Sequence, residues 1–595
     1  MPRPASTLWN HFRKDAASKR AICKYCQHNM CGLVTRMRAH LARKCPDCPT
    51  HVRSEMFDAD LNRKMDLGMV PGSTTATSSP HGSATTTGGP SIKKQRRGRL
   101  QSTSVIDEKS DLDSYVAKAI LGAGLPVNAV ETSAFVKMIK RLNPAYEPPT
   151  AFTLATSALD LEYTEVQLKL RAEVLDATAV CLGVESWAET TKRSIVSCVI
   201  NTPNPGVFAF ENTGEICHTA GVLMEKIENV MTQIGTGKVS AIVTDASSET
   251  MKEAAMMLES KYPDITFLPS CAHAMNAMIV EILALPLLAN TASACKQLCR
   301  FFAQNHIARN AFARVSEQMQ ALEGSHPLVE PDDANPTTLL EALFSIERNR
   351  HSFDILLAEN GVLSSLNPHL KEQIINLSFW EELSTYTGLL EPFLDLLKTF
   401  ESDYPLLSTF YHRFTLLWGH LEKYGNVTSN IQQIMSKHWQ TIKHPAMYTA
   451  YMLDPRFPSS NLPTEATNEV LAYLKRAADA NVFAAIVSEL TRFTARTGMF
   501  ADEAIWESAQ KCSPIHWWKG FIGSSCPNLQ AVALRTLCFP ASSGLSKSRR
   551  DMFERIHAVN NKFMSEEQAS KAALVYLNTS LSQSVEDGMS NETIV

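Results

Sequence analysis

From about residue 111 onward the chain switches between two hydrophobic periods. LDSYVAKAILGAGLP, from Leu112, spaces its apolar residues as one face of a helix and then meets Gly and Pro, which predicts an amphipathic helix with a defined stop. SAFVKMIKRLNPAYEPP predicts a second helix, with Ser133 as cap and Pro144 as stop. The period then shortens. TAVCLGVE, SIVSCVIN and GVFAFEN are three successive β-rich runs separated by turn residues. A helix follows over about 219–233, then a short buried strand, SAIVTDAS, over about 240–245. MKEAAMMLESKY predicts a helix, TFLPS a strand and AMNAMIVEIL a helix. Three strands followed by helix, strand, helix, strand is an α/β arrangement. From about 286 to 510 helical patterns dominate, and they return from about 525 to 582; no internal repeat is visible.

Composition separates what precedes this block. Residues 68 to about 105 are rich in Gly, Ser, Thr and Pro (GSTTATSSPHGSATTTGG) and nearly devoid of large apolar residues, which predicts a disordered linker. Within it lies KKQRRGR, Lys93 to Arg99. Such a run is a nuclear-import signal or a solvated charge cluster, and its place behind a basic module favours import. Net charge is −4 over 595 residues, yet the first 53 hold eleven Lys and Arg against Asp15 and Asp47. A basic arm on an acidic body points to a polyanionic partner. Of fourteen cysteines, five fall between Cys23 and Cys48, and the rest are scattered, unlike a secreted disulfide framework. The start, MPRPASTLWNHFRKD, has no apolar run, and the most apolar stretch, Met278 to Leu288, is interrupted by Glu281 and Pro286 and is too short to span a bilayer. These features predict a nuclear or cytosolic protein with no membrane partner.

The cysteine cluster has metal-site spacing. Cys23-x2-Cys26 forms a knuckle, thirteen residues follow, and His40 and Cys45 sit about one turn apart on a predicted helix, VTRMRAHLARKC. Four N/S ligands in a closed tetrahedron indicate structural Zn²⁺, whose binding supplies most of the folding free energy of so small a unit. Cys48 and His28 are spare candidates, and Cys31 reads as a small core residue. Upstream stand Trp9, His11 and Phe12, followed by Arg13 and Lys14. This arrangement resembles the BED-type zinc finger over about residues 6 to 50. The resemblance implies DNA binding, and Lys24, Arg36, Arg38, Arg43 and Lys44 around the helix are the candidate contacts to base edges and phosphates of double-stranded DNA. The competing reading of those five is a solvated basic face.

VESWAETTKRSIVSCVI, GVFAF, AIVTDASSETMKEAAMMLESKYPDITFLPSCAHAMNAMI, LDPRF (Leu453 to Phe457), HWWKGF and LQAVALRTLCFPASSGLSKSRRDMFERIH together resemble a hAT-family transposase body. The resemblance implies a fold that is multidomain α/β plus all-α: a small zinc finger, a disordered linker and an RNase H-like α/β core interrupted by a large helical insertion. The expected divisions are 1–52 finger, 53–110 linker, 111–172 helical lead-in, 173–285 first part of the core, 286–524 insertion, 525–582 C-terminal core and dimerisation helices, and 583–595 disordered tail. Active members hold two divalent ions on three carboxylates. Carried over by alignment, the first acid is Glu185, two residues before Trp187, a methylene longer than the family's Asp. The second is Asp245, followed by Ala246 instead of Asn. The third falls on Lys547, in the string Ser542 to Ser548, and an ammonium cannot ligate Mg²⁺. Asp551, one turn on, is the substitute to consider. The Cys-x-x-His of the family is displaced, with Ser270 and Cys271 ahead of His273.

Local readings compete with these. His273 reads as a hydrogen-bonded residue at a helix start, Asp245 as a helix cap, and Trp187, Trp517 and Trp518 as core aromatics. The C-terminal stripes serve either dimerisation or internal packing. IGTGKVS, Ile234 to Ser240, lacks the first glycine of a phosphate loop and follows a helix, so no nucleotide partner is expected. The combined expectation is a nuclear, homodimeric, transposon-derived regulatory or scaffold protein that binds DNA through zinc and does not cleave strands. The alternative is a transposase that still cuts with Mg²⁺ on Glu185, Asp245 and another acid.

Overall fold

In the computed structural model the chain forms two compact units, Met1–Gln95 and Arg96–Val595. The described residues are 10–14, 20–31, 36–37, 40–41, 45, 48–49 and 52 of the first unit. In the second they are 97–591, apart from 189–193, 203, 213–218, 246–247, 321–326, 333–335, 360–365, 401–405, 477, 479 and 521–524, with side chains from 109 to 583.

The first unit is built on an antiparallel sheet of β1 (Phe12–Lys14), β2 (Arg20–Cys23) and β3 (Asn29–Cys31). Register pairs Phe12 with Cys23 and Ala21 with Met30. Its small core gathers Phe12, Ala21, Met37, Leu41 and Val52 around the buried Cys23, Cys45 and Cys48. Trp9 lies outside the described residues, as do the Gly-, Ser-, Thr- and Pro-rich stretch around 68–96 and Lys93 to Arg96 of the basic run.

The second unit opens with helix α1 (Arg97–Gly122), which starts inside the stretch read as linker. The polar RGRLQSTSV segment carries no core-facing stripe, so periodicity alone missed this first part. Helix α2 (Ser133–Leu142) is capped by Thr132 and not by Ser133. Thr132 has the extended backbone a cap needs, and its hydroxyl accepts from the Phe135 N–H at 3.4 Å. Helix α3 (Leu159–Asp176) leads into the sheet.

That sheet contains β4 (Val180–Ala188), β5 (Ser194–Asn201), β6 (Pro205–Asn212), β7 (Val239–Thr244) and β8 (Thr266–Pro269), in the order β6-β5-β4-β7-β8. The first three strands are an antiparallel meander, and β7 and β8 add parallel to β4. The crossovers are α4 (Ala220–Ile234) and α5 (Glu249–Lys261), with α6 (Cys271–Leu283) after β8. This meander-then-parallel order is that of the expected RNase H-like core. Strands β5 and β7 are apolar-rich and almost wholly buried, as a sheet covered on both faces requires.

Period-two alternation splits β4. Val180, Leu182 and Val184 enter one core with α3, α4 and α5. Cys181, Gly183, Glu185 and Trp187 share the opposite face. There the chain returns: helices α7 (Lys547–Asn560) and α8 (Glu566–Asn591) close the core after the long insertion. Asn578 on α8 acts as a substitute strand for the sheet edge, accepting from Val207 N at 2.9 Å and donating to Val207 O at 3.0 Å. Between them, helices from Pro286–Gln304 to Pro527–Thr536 form an all-α block sharing the largest core cluster with Cys181, Val243 and Leu268. Trp517 and Trp518 lie in that cluster, as core residues. Among the described residues no single helix is long and apolar enough to cross a membrane.

Candidate functional site

The knuckle of the first unit is set by backbone geometry. Cys23 N–H donates to His28 O at 2.9 Å, Gln27 N–H donates to Cys23 O at 3.0 Å, and Gln27 takes the left-handed conformation (φ 56°) that turns the chain. This presents Cys23 and Cys26 to one point. Cys45 N–H donates to His40 O at 2.7 Å, bringing those two residues to the same point from the C-terminal side. The ligand atoms of Cys23, Cys26, His40 and Cys45 all lie within 4.8 Å of one another. Cys23 Sγ and Cys45 Sγ are 3.7 Å apart, close to the ~3.8 Å edge of a tetrahedron with Zn–S arms of about 2.3 Å. The donor set fits zinc. Cys48 is buried in the adjoining core and His28 stacks on the His40 ring at 5.2 Å, so neither belongs to the four-residue cluster. The side chain of Cys31 is outside the described residues.

Lys24 and Arg36 are exposed. Lys24 Nζ donates to the Asn10 carbonyl at 2.7 Å, holding the N-terminal arm to the knuckle. Arg38, Arg43 and Lys44 lie outside the described residues.

The second cluster lies at the C-terminal ends of β4 and β7. Glu185 and Asp245 are buried, and His273, from the first turn of α6, bridges them. Its Nε2 is 3.2 Å from Glu185 Oε1 and 3.7 Å from Asp245 Oδ2, while Nδ1 is held by Ser270 Oγ at 2.9 Å. Burial pushes the His273 pKa down, but the hydrogen bond and charge of Glu185, helped by Asp245 and opposed by Arg550, outweigh it. The net shift is upward from 6.5. The local readings of these two residues therefore fare differently. His273 does stand hydrogen-bonded at a helix start, with the carboxylates as its other partners. Asp245 is not the cap of the following helix: Ser248 is, accepting from Met251 N–H at 3.3 Å.

The loop from Ala541 to Ser546 lies across these strand ends. Cys271 N–H donates to Ala541 O at 2.8 Å, and Ser543 N–H donates to Ser270 Oγ at 3.3 Å. Two glycines permit the approach. A Cβ on Gly183 would fall 2.4 Å from the Ser543 carbonyl oxygen, and one on Gly544 would fall 1.9 Å from Glu185 Oε2.

Lys547 does not meet the carboxylate pair. Its amine forms an ion pair with Asp332. The cation on Glu185 is Arg550, whose guanidinium donates to Glu185 Oε1. The two share a helix face but differ in position along it: Lys547 is the first residue of α7, and Arg550, three residues and about 4.5 Å of rise further on, is the one that reaches Glu185. Asp551 is exposed and takes no part in the described cluster. Arg550, Gly544 and Ser543 are the residues sequence reasoning missed. The spacing of Arg550 from Lys547 was the available signal.

This centre does not fit a pair of divalent ions. Among the described residues it gathers two carboxylates where three are needed. One oxygen of Glu185 is shared by Arg550 and His273. The other, Oε2, is buried without a hydrogen-bond partner but lies directly under Gly544. The Gly-Thr-Gly-Lys string is also accounted for: Lys238 Nζ donates to the carbonyls of Val174, Leu175 and Ala177 at 2.7, 2.6 and 3.3 Å, capping the end of α3.

A cysteine-and-histidine module on a basic arm, followed by a mixed five-stranded core split by a helical block, defines the class as transposase-like. Comparison with protein families agrees. The BED zinc finger model matches residues 6–46, a domain of unknown function (DUF659) matches 149–298, and the hAT family C-terminal dimerisation region matches 498–581. Together these three matches indicate an hAT-family transposase-like protein with an N-terminal BED finger. The dimerisation match begins at 498, inside the stretch read from sequence as insertion. No curated protein matches the chain. The BED match implies DNA binding and the dimerisation match suggests a homodimer.

Proposed function

We propose that this hAT-derived chain is a nuclear, zinc-dependent binder of double-stranded DNA that does not cleave it, acting as a regulatory or scaffold protein. The observation that carries this reading is the carboxylate centre: Glu185 is paired with the guanidinium of Arg550 and bridged to Asp245 by the His273 imidazole, so protein side chains occupy the ends of β4 and β7. The finger supplies DNA affinity. A finger on each protomer of a homodimer raises the effective concentration at a second half-site.

The decisive assay incubates full-length protein with transposon-end duplex and Mg²⁺ or Mn²⁺. Intact DNA is expected. Nicking that vanishes in Asp245→Ala establishes instead the active-transposase reading. Binding is expected to be salt-dependent and lost in Cys26→Ser. Arg36→Ala, if Arg36 holds a phosphate, lowers the log–log salt slope by about 0.9. Full-length protein that fails to bind duplex at low salt refutes the DNA-binding part.

A further inference from the structure

The centre that the transposase family uses for metal has, in this chain, an arrangement of its own. Glu185 is 2% exposed, and an isolated carboxylate at that depth is costly to keep ionised. Its charge is met by Arg550 from α7, 365 residues away in sequence, and by His273 from α6. Arg456, the other arginine with a buried carboxylate partner among the described residues, pairs within its own loop. Arg550 joins the sheet to the segment that returns after the insertion. The approach is tight on the remaining side, where Gly544 covers Glu185 Oε2. A hard cation at Glu185 and Asp245 would face a guanidinium already on one of its ligands, and like charges a few ångströms apart repel strongly in a site this dry.

We propose that Arg550 is a built-in counter-ion that takes the place of a divalent metal at the Glu185–Asp245 centre, so that the body folds without metal and excludes it. The inference rests on the non-cleaving reading of the same centre but concerns metal occupancy. Its test is therefore independent of whether DNA is cut. Arg550 acts here as a positioning residue: it fixes Glu185 and ties α7 to β4.

The test uses the zinc-loaded full chain and Mn²⁺ alone, with free ion measured by electron paramagnetic resonance. Wild type is expected to bind no more Mn²⁺ than Asp245→Asn does. Arg550→Gln removes the charge while keeping a polar side chain. It is expected to gain a site whose affinity exceeds wild type by more than roughly tenfold, since one like charge is removed from beside the ion. Adding Asp245→Asn to Arg550→Gln should abolish the gain. A folded Arg550→Gln with no gain overturns the proposal. So does a wild-type site for Mn²⁺ that disappears in Asp245→Asn. Should Arg550→Gln fail to fold, thermal unfolding of the wild type decides. An unchanged melting temperature on adding Mn²⁺ supports the proposal, and an Asp245-dependent rise refutes it. Nicking of DNA with an unchanged Mn²⁺ profile would sink the functional reading and leave this one standing.

Discussion

Asp454, in the Leu453–Phe457 string, is completely buried, and a buried carboxylate needs partners. Arg456 clasps it with two bonds, Nε to Oδ1 at 2.9 Å and a terminal nitrogen to Oδ2 at 2.7 Å. Ser408 donates to Oδ2 at 2.8 Å. The same arginine donates to Thr409 Oγ1 at 3.1 Å and lies 5.2 Å from the Phe457 ring, so it ties the turn after helix Pro445–Leu453 to helix Leu407–Glu422. Replacing one partner of such a pair strands the other charge, typically at about 3–5 kcal/mol. Arg456→Met is therefore expected to lose stability of that order in urea unfolding. A loss below about 1 kcal/mol would mean that Ser408 suffices for Asp454. A similar logic of charge holds at Glu185, where the arginine comes from another element.

At the scale of elements, several helices start on side chains whose capping ability depends on protonation or geometry. His444 caps the helix Pro445–Leu453, its Nδ1 accepting from Ala446 N–H at 3.1 Å. Burial, with the nearby Arg476, lowers its pKa from 6.5 to about 4. A cap that accepts a hydrogen bond must be neutral. The folded pKa lies below the unfolded one, so this contribution is complete above pH 6.5 and is lost as pH falls toward 4. Unfolding measured at pH 7.5 and 5 should show a decline that His444→Asn removes, because asparagine caps without titrating. An equal decline in both proteins would place the pH dependence elsewhere. Glu489 performs a comparable task. Its carboxylate accepts from Leu529 N–H at 2.7 Å and from Asn528 at 2.9 Å, fixing the start of helix Pro527–Thr536 against the insertion.

At the scale of the whole molecule, among the described residues, the finger's core cluster is drawn from residues 12 to 52 and the buried members of the body's clusters from residue 116 onward. Structural zinc contributes on the order of 10 kcal/mol to a unit of this size. A chelator should therefore abolish DNA binding and unfold the finger while leaving the body's melting transition unchanged. Calorimetry checks this, and a body transition that shifts with zinc removal would show that the two units are energetically coupled.

The order of strands and helices was legible because each carries its own period, and the zinc set was legible because two short spacings confine four ligands. Glu185 and Asp245 were found by alignment with the acidic positions of the family they resemble. The residues that complete their centre were not legible. Arg550, one turn along α7, reaches Glu185, while Lys547 at the start of the helix pairs with Asp332, and Ser248, not Asp245, took the cap. Gly183 and Gly544 mattered only because a distant loop crosses the sheet there. Local periodicity and spacing are properties of the chain and can be read from it. Which charge meets which across hundreds of residues depends on how packed elements are rotated against one another, and only the assembled core decides that.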